Sequence, residues 1–287
     1  MRLLVADVIE HRAHPVIKKQ TLVRVPIRLG ADVFSGGTIS NARCDHLIKS
    51  LKAFRLLTEV YGAHYMRCCA TSAMREAANR EQVLARVEME TGVHIEVISG
   101  RKEAKLIMHT FWTQDLSAEK DYLYIDVGGG STEITVLRRG RRSESASFPI
   151  GTVRMLGGQV DEAAWTDLAD FLAQVGATGL EAIGTGGNIN RLFKENGNAH
   201  GTPLLRADIQ RHHDRIAGHS LKDRVNVLRL RPDRADVIVP AASIFVRILE
   251  LADVDRVHVP KVGLADGIVY DLYMKRRGHL HYPTRVA

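Results

Sequence analysis

The octapeptide Asp126-Val127-Gly128-Gly129-Gly130-Ser131-Thr132-Glu133 decides how the rest of this sequence is read. It follows the apolar run Tyr122-Leu123-Tyr124-Ile125 and leads into Ile134-Thr135-Val136-Leu137, which stops at Arg138-Arg139-Gly140. That pattern predicts strand, tight glycine turn, strand, with an acid at each end of the turn. Three glycines let backbone approach a ligand closely and turn several N–H groups toward one point, an arrangement suited to phosphate oxygens. The flanking carboxylates of Asp126 and Glu133 suit a divalent cation or a water to be activated. A plain hairpin with a glycine bulge needs neither the three glycines nor both acids.

Outward from the turn, strands and helices alternate, which predicts an α/β class. Toward the N-terminus the spacing predicts strands at 2–8 and within 14–29, a helix over 41–61, and a strand over 65–70. A helix over 74–91 closing at Gly92 follows, then a strand over 93–98 and a helix over 102–111. Beyond the turn come strands over 131–138 and 144–150, a helix over 162–174, a strand over 180–183 and a helix over 189–195. A loop over 196–203, a helix over 236–251, a strand over 257–259 and a helix over 264–274 complete the chain. The polar stretch 113–121 marks the boundary between an N-terminal lobe, 1–114, and a C-terminal lobe, 115–287, with the last helix expected back on the first lobe. The two halves read as related lobes, with a ligand cleft expected between them. In the second, the glycine turn lies between two strands; in the first, the corresponding strand Arg2-Leu3-Leu4-Val5-Ala6 begins at once, so a first strand and a first phosphate turn are missing.

At 287 residues, 45% hydrophobic and 25% charged, the chain has the composition of a globular protein with a sizeable core. No apolar run approaches the ~20 residues that span a bilayer, and no signal-peptide pattern opens the chain, so no membrane partner is expected. Cys44, Cys68 and Cys69 fit neither a disulfide framework nor a zinc site, which points to a reducing cytoplasm and to buried, unreactive thiols at 68 and 69. The net charge of +7 implies attraction to polyanions. Nucleic acid is not expected, because no recognition motif occurs and aromatics make up only 6% of the chain. The run Arg138-Arg139-Gly140-Arg141-Arg142 is most simply a solvated hairpin turn, and His212-His213 a surface pair without a third ligand.

Three further junctions carry chemistry. Ala70-Thr71-Ser72-Ala73-Met74-Arg75-Glu76 joins a strand to a helix and places Arg75 where a guanidinium grips phosphate; an N-cap with a surface Arg–Glu pair explains it equally well. Glu96-Val97-Ile98-Ser99-Gly100-Arg101-Lys102-Glu103 puts Glu103 in a first helical turn, where the dipole favours a carboxylate by only ~0.3–1 kcal/mol. Alone it reads as a capping acid; beside an acid-flanked glycine turn it becomes a candidate general base. Gly184-Thr185-Gly186-Gly187-Asn188 opens a helix after a strand and offers Gly186 and Gly187 to phosphate.

Together ATSAMREAANR (70–80), EVISGRKEAKL (96–106), DVGGGSTE (126–133) and GTGGN (184–188) resemble, in order and spacing, the exopolyphosphatase/guanosine pentaphosphatase (Ppx/GppA) family of the actin-like, sugar-kinase and heat-shock ATPase superfamily. The resemblance covers nearly the whole chain. It implies two ribonuclease H-like lobes and hydrolysis of a terminal phosphoanhydride in the cleft between them. Inorganic polyphosphate is the first substrate implied, guanosine pentaphosphate the alternative, and a non-catalytic binder of either the third reading. By the same resemblance Glu103 activates water, and Asp126 and Glu133 lie near Mg²⁺ or another hard divalent cation and the attacked phosphorus. Gly128, Gly129, Gly130 and Ser131 cradle phosphate and Arg75 faces it, while a homodimer is a further implication. Two departures are visible: Ala265 stands where the family has an arginine, and Lys102 where an acid is common. The family also opens with a strand and an Asp-x-Gly-Ser-Asn turn before the segment seen here at 2–5. We therefore expect Met1 to be a miscalled start, which the reading frame upstream of its codon checks. A stop codon with no in-frame strand and Asp-x-Gly turn would sink that expectation. For the chain as given, an unpaired sheet edge is expected in the first lobe.

Overall fold

The structure is a computed structural model describing all residues except 11–14, 111–115, 118, 140, 200, 261, 277–283 and 287, with 284–286 described by backbone alone. The chain divides into two units, Met1–Gln114 with Val262–Ala287, and Asp115–Lys261. The segment after 261 thus groups with the first unit.

In the first unit, β1 (Arg2–Ile9) pairs antiparallel with β2 (Val16–Arg24). The alternation of the β1 run hides Leu4, Ala6 and Val8 against one helix, α13 (Leu264–Arg276), and Leu3 and Val5 against Phe54 on the other face. Then come α1 (Leu29–Gly36), α2 (Asn41–Val60), β3 (Cys68–Ala70), α3 (Ser72–Glu76), α4 (Arg80–Thr91), β4 (Ile95–Val97) and α5 (Gly100–Met108). Ser40 caps α2 by accepting from the Arg43 N–H, and the helix buries Cys44, Leu47, Ile48, Leu51 and Phe54 along one stripe. Gly92 ends α4 in the left-handed conformation expected of it. α13 lies so close on α5 that a Cβ at Gly267 would sit 2.0 Å from the Leu106 carbonyl oxygen. An ion pair from Lys19 to buried Asp266 (2.7 Å) and hydrogen bonds from Arg67 to both Glu96 and Asp271 fasten α13 to β2 and β4.

Several expected boundaries change. The helix expected over 74–91 is two helices, because the Ala78 N–H donates to the Gly37 carbonyl and Asn79 exchanges two hydrogen bonds with the Ile39 backbone. These tertiary bonds outweigh the helix propensity of Arg75-Glu76-Ala77-Ala78. The strand expected within 14–29 is β2, and β3 keeps only the last three residues of 65–70. The C-terminal end of the helix expected over 102–111 and residues 113–115 of the expected boundary lie outside the described residues. On the side away from β2, β11 (Thr284–Val286) pairs antiparallel with Ala6–Val8 of β1, so the expected edge is covered over those three residues.

The second unit is built on one six-stranded sheet of order β7-β6-β5-β8-β10-β9. β5 (Tyr122–Val127), β6 (Thr132–Arg138) and β7 (Arg141–Phe148) form an antiparallel meander. β8 (Glu181–Thr185) and β10 (Arg256–His258) run parallel to β5, and the short β9 (Leu204–Leu205) closes the far edge. β5 and β6 are buried almost throughout, β6 with its polar Thr132, Glu133 and Thr135 included, whereas β7 is an edge of Arg, Ser and Glu. Around the sheet lie α6 (Thr152–Leu156), α7 (Glu162–Gln174), α8 (Gly187–Asn196), α9 (Arg206–Ala217), α10 (Leu221–Asn226), α11 (Pro232–Ala235) and α12 (Ile238–Leu251). The core gathers on α12, where Ile238, Ile244, Phe245, Ile248 and Leu249 are each at most 1% exposed. Each such side chain contributes ~1.5–3 kcal/mol by leaving water.

The two units share a strand plan. The antiparallel pair β1–β2 corresponds to β6–β7, and the parallel pair β3–β4 to β8–β10. In the second unit β5 joins the two pairs into one sheet; in the first they are two separate sheets.

His212, expected at the surface, is buried at 7% exposure on α9. Its Nε2 sits 3.1 Å from Asn196 Oδ1, an oxygen identified by the donations of Asn196 Nδ2 to Asn198 and Asp208. The imidazole is therefore the Nε2–H tautomer. Burial holds its pKa below the ordinary value of about 6.5. The sign follows: the unfolded chain binds the proton first, so stability is full above about pH 6.5 and falls as pH drops toward the folded-state pKa. Urea midpoints at pH 7.5 and 5.5 should differ in the parent and differ less in His212→Gln, which keeps a donor to Asn196. An equal difference in both proteins removes His212 from that role.

Candidate functional site

In the second unit the register of β5 and β6 pairs Asp126 directly with Glu133, beside the glycine turn. Like charges directly opposite one another destabilise a strand pair, so this placement is costly unless a cation or substrate uses it. Both acids are held in place. Glu133, 3% exposed, accepts on Oε1 from Ser131 Oγ (2.7 Å) and Ser147 Oγ (2.9 Å). Asp126 Oδ1 accepts from Thr185 Oγ1 at 2.7 Å. Two hard carboxylates in register, each with hydroxyl support, form a donor set fit for Mg²⁺ or a similar divalent ion.

The turn between them is shaped from outside. The N–H groups of Thr152 and Val153 donate to the carbonyls of Gly128 (3.0 Å) and Gly129 (2.8 Å), and Arg154 Nε to that of Gly130 (2.6 Å). The N-terminal end of α6 thereby engages three successive carbonyls. Gly129 and Gly130 donate no backbone hydrogen bond outside the strand ladders among the described residues, so their N–H groups are the ones left to meet an anion. Two of the glycines also stand close to the protein's own atoms. None of Gly128, Gly129 and Gly130 has a positive φ. Instead, a Cβ at Gly128 would lie 3.0 Å from the Ser131 carbonyl oxygen, and one at Gly129 3.3 Å from Val153 Cγ2. Close approach, not left-handed backbone, crowds a side chain at Gly128 and Gly129.

Gly186 does need its freedom: its φ is +110°, and a Cβ would stand 3.2 Å from the Val127 carbonyl and 3.5 Å from Asp126 Oδ1. It brings the start of α8, whose first residue is Gly187, onto the same end of β5. The structure thus gathers Asp126, Gly128, Gly129, Gly130, Ser131, Glu133, Gly186 and Gly187 within the second unit.

In the first unit it gathers the other two named residues. Ser99 caps α5 by accepting from the Lys102 N–H, and Glu103 follows in the first turn at 7% exposure. Arg75 donates through Nη1 to the Ile98 carbonyl at 2.7 Å, and the same nitrogen lies 4.0 Å from Glu103 Oε2. Lys102 is turned away to Glu96, which also takes both Nε and Nη2 of Arg67. Burial alone would raise the Glu96 carboxyl, but these cations hold it below its ordinary range. Cys68 and Cys69 are half-buried, and burial pushes both thiols up, Cys68 to about 12, so neither offers a thiolate at neutral pH.

Sequence reasoning missed Gly151, Thr152, Arg154, Ser147 and Thr185. A signal existed for Gly151, a glycine between a strand and a helix at Pro149-Ile150-Gly151-Thr152. A Cβ there would meet the Gly129 carbonyl oxygen at 2.4 Å and the Gly130 carbonyl carbon at 2.5 Å. The two serine and threonine hydroxyls carried none, since their role depends on strand register.

A mixed α/β fold carrying an acid-paired, anion-ready glycine turn is the class of protein that these features define. The chain belongs to the Ppx/GppA phosphatase family, whose match runs over residues 4–276. An exopolyphosphatase 1 of Mycobacterium tuberculosis is 32% identical over 163 residues, 54% of this chain and 44% of that protein. The guanosine-5'-triphosphate,3'-diphosphate pyrophosphatase of Aeromonas salmonicida is 23% identical over 274 residues, 89% of this chain and 54% of that protein. The chain therefore spans about half the length of these curated relatives. Among solved structures, the Ppx/GppA family member of Aquifex aeolicus has a TM-score of 0.74 and 24% identity, covering 98% of this chain and 95% of its own, and so shares the fold. Among the described residues no helix is long and apolar enough to cross a membrane.

Proposed function

We propose that this protein is a cytoplasmic, divalent-metal-dependent phosphoanhydride hydrolase that releases orthophosphate from the ends of inorganic polyphosphate. The observation that carries this reading is the Asp126–Glu133 pair, in register beside a turn whose carbonyls are engaged by α6. Phosphoryl transfer asks for positioning, charge neutralisation and an oriented water rather than for covalent chemistry. Gly128, Gly129, Gly130 and Ser131 form the phosphate cradle, in which Gly129 and Gly130 offer backbone N–H groups, with Gly186 and Gly187 at the neighbouring helix start. Asp126 and Glu133 would hold Mg²⁺, which would supply neutralisation of charge developing on the phosphate oxygens. Glu103 takes the proton of the attacking water, and the nearby Arg75 guanidinium orients the carboxylate or meets phosphate itself. The family membership and the exopolyphosphatase relative support the substrate class, and the +7 net charge favours a polymeric anion.

Guanosine pentaphosphate is the second reading, favoured by the longer alignment to the Aeromonas salmonicida relative. The shared strand plan of the two units supports ribonuclease H-like architecture in each.

Phosphate release measured in parallel on long-chain polyphosphate and on guanosine pentaphosphate, with Mg²⁺ and with excess chelator, tests the proposal. Faster, Mg²⁺-dependent release from polyphosphate is the expected result. Faster release from the nucleotide assigns the second reading, and binding of either without release makes the chain a non-catalytic binder.

A further inference from the structure

Asp126 and Glu133 are the middle of a longer row. The registers of β7, β6, β5 and β8 set Ser147, Glu133, Asp126 and Thr185 side by side across four neighbouring strands, so the four side chains leave the same face of the sheet. A hydroxyl closes the row at each end. Ser147 Oγ donates to Glu133 Oε1 at 2.9 Å, and Thr185 Oγ1 to Asp126 Oδ1 at 2.7 Å. Ser147 is exposed, on the edge strand, and lies outside every motif that the sequence displays.

Glu133 Oε1 carries a second donor, Ser131 Oγ at 2.7 Å. A carboxylate has about two lone-pair sites on each oxygen, so these two hydroxyls saturate Oε1. Both bonds run to a charged acceptor that is 3% exposed, which makes them charge-assisted and strong. Ser145, two residues earlier on the same face of β7, shows the plainer use of such a hydroxyl: its Oγ lies 3.0 Å from Thr135 Oγ1. With Oε1 filled, Glu133 can meet a cation through Oε2 alone and cannot chelate it with both oxygens.

We infer that Ser147 is a positioning residue that sets cation selectivity: by filling Oε1 it closes Glu133 to bidentate chelation and biases the pair toward Mg²⁺ over Ca²⁺. The inference rests on the reading above that Asp126 and Glu133 hold a divalent cation. Ca²⁺ gathers about six to eight oxygens in flexible geometry and takes both oxygens of a carboxylate. Mg²⁺ keeps several waters and needs only one or two carboxylates in near-octahedral geometry. Withholding the second oxygen therefore costs Ca²⁺ more than Mg²⁺.

Mn²⁺ binding to the chelator-stripped full chain, followed by the free-ion electron paramagnetic resonance signal, tests this without turnover. Displacing bound Mn²⁺ with Mg²⁺ and with Ca²⁺ gives the ratio of the two affinities. Ser147→Ala is expected to shift that ratio toward Ca²⁺ by about tenfold, within the range by which residues bracing a ligand alter metal affinity. Ser147→Thr keeps the hydroxyl and suits a strand, so it should retain the parental ratio, as should Ser145→Ala. A general loss of structure weakens both ions together and leaves the ratio where it was. An unchanged ratio in Ser147→Ala overturns the inference, and so does an equal shift in Ser147→Thr or Ser145→Ala. Mn²⁺ binding that is absent from the parent, or that survives Asp126→Asn/Glu133→Gln, overturns the reading of the acid pair itself and the inference with it.

Discussion

Glu103→Gln is expected to lower the turnover of phosphate release by about 10²–10⁴-fold, the contribution typical of a positioned general base. Substrate binding should survive. The substitution is isosteric, and Ser99, which caps the helix, is untouched. A carboxylate serving only the dipole of α5 would contribute ~0.3–1 kcal/mol of stability and no rate at all. The two roles therefore separate cleanly: turnover and calorimetric affinity report the chemical role, the melting temperature the structural one. Turnover within threefold of the parent would take Glu103 out of the mechanism, leaving Arg75 without the partner that the fold places 4.0 Å from its Nη1.

Gly151→Ala should damage both stability and catalysis, although residue 151 carries no reactive group. The added methyl would meet the Gly129 carbonyl at 2.4 Å and the Gly130 carbonyl carbon at 2.5 Å, and backbone has no rotamer by which to yield. Overpacking of this kind costs ~1–3 kcal/mol, occasionally more. Relief by shifting the turn moves the N–H groups that meet phosphate, and a misplacement of ~1 Å costs on the order of 10²-fold in rate. Gly36→Ala is the control, because a Cβ there meets nothing within 4 Å and the glycine ends a helix with ordinary φ. A Gly151→Ala protein with parental melting temperature and phosphate release would show that the turn is not held by α6.

Much of the second unit was legible because its signals are local. The apolar runs around the turn, the acids at 126 and 133 and the helix over 162–174 need only periodicity and glycine placement to be read. What stayed hidden depends on distant partners. The break between α3 and α4 is made by Gly37 and Ile39, not by anything in Arg75-Glu76-Ala77-Ala78. His212 sits in a helix as charged as Arg206-Ala207-Asp208-Ile209-Gln210-Arg211, so only the packing against Asn196 shows it to be buried. The closeness of Gly129 to Val153 and of Gly128 to the Ser131 carbonyl was likewise hidden, since neither contact is visible in the octapeptide.

The hydrogen bonds from Thr152, Val153 and Arg154 to the glycine turn also set an order of events as the chain folds. A hairpin of β5 and β6 closes within microseconds of becoming available, from contacts close in sequence. At that moment it has both acids and all three glycines, yet its carbonyls still face water and nothing aims its N–H groups. The site matures only when a later stretch of chain arrives and takes those carbonyls. A peptide limited to residues 122–138 is thus a hairpin with the right composition and without the right electrostatics.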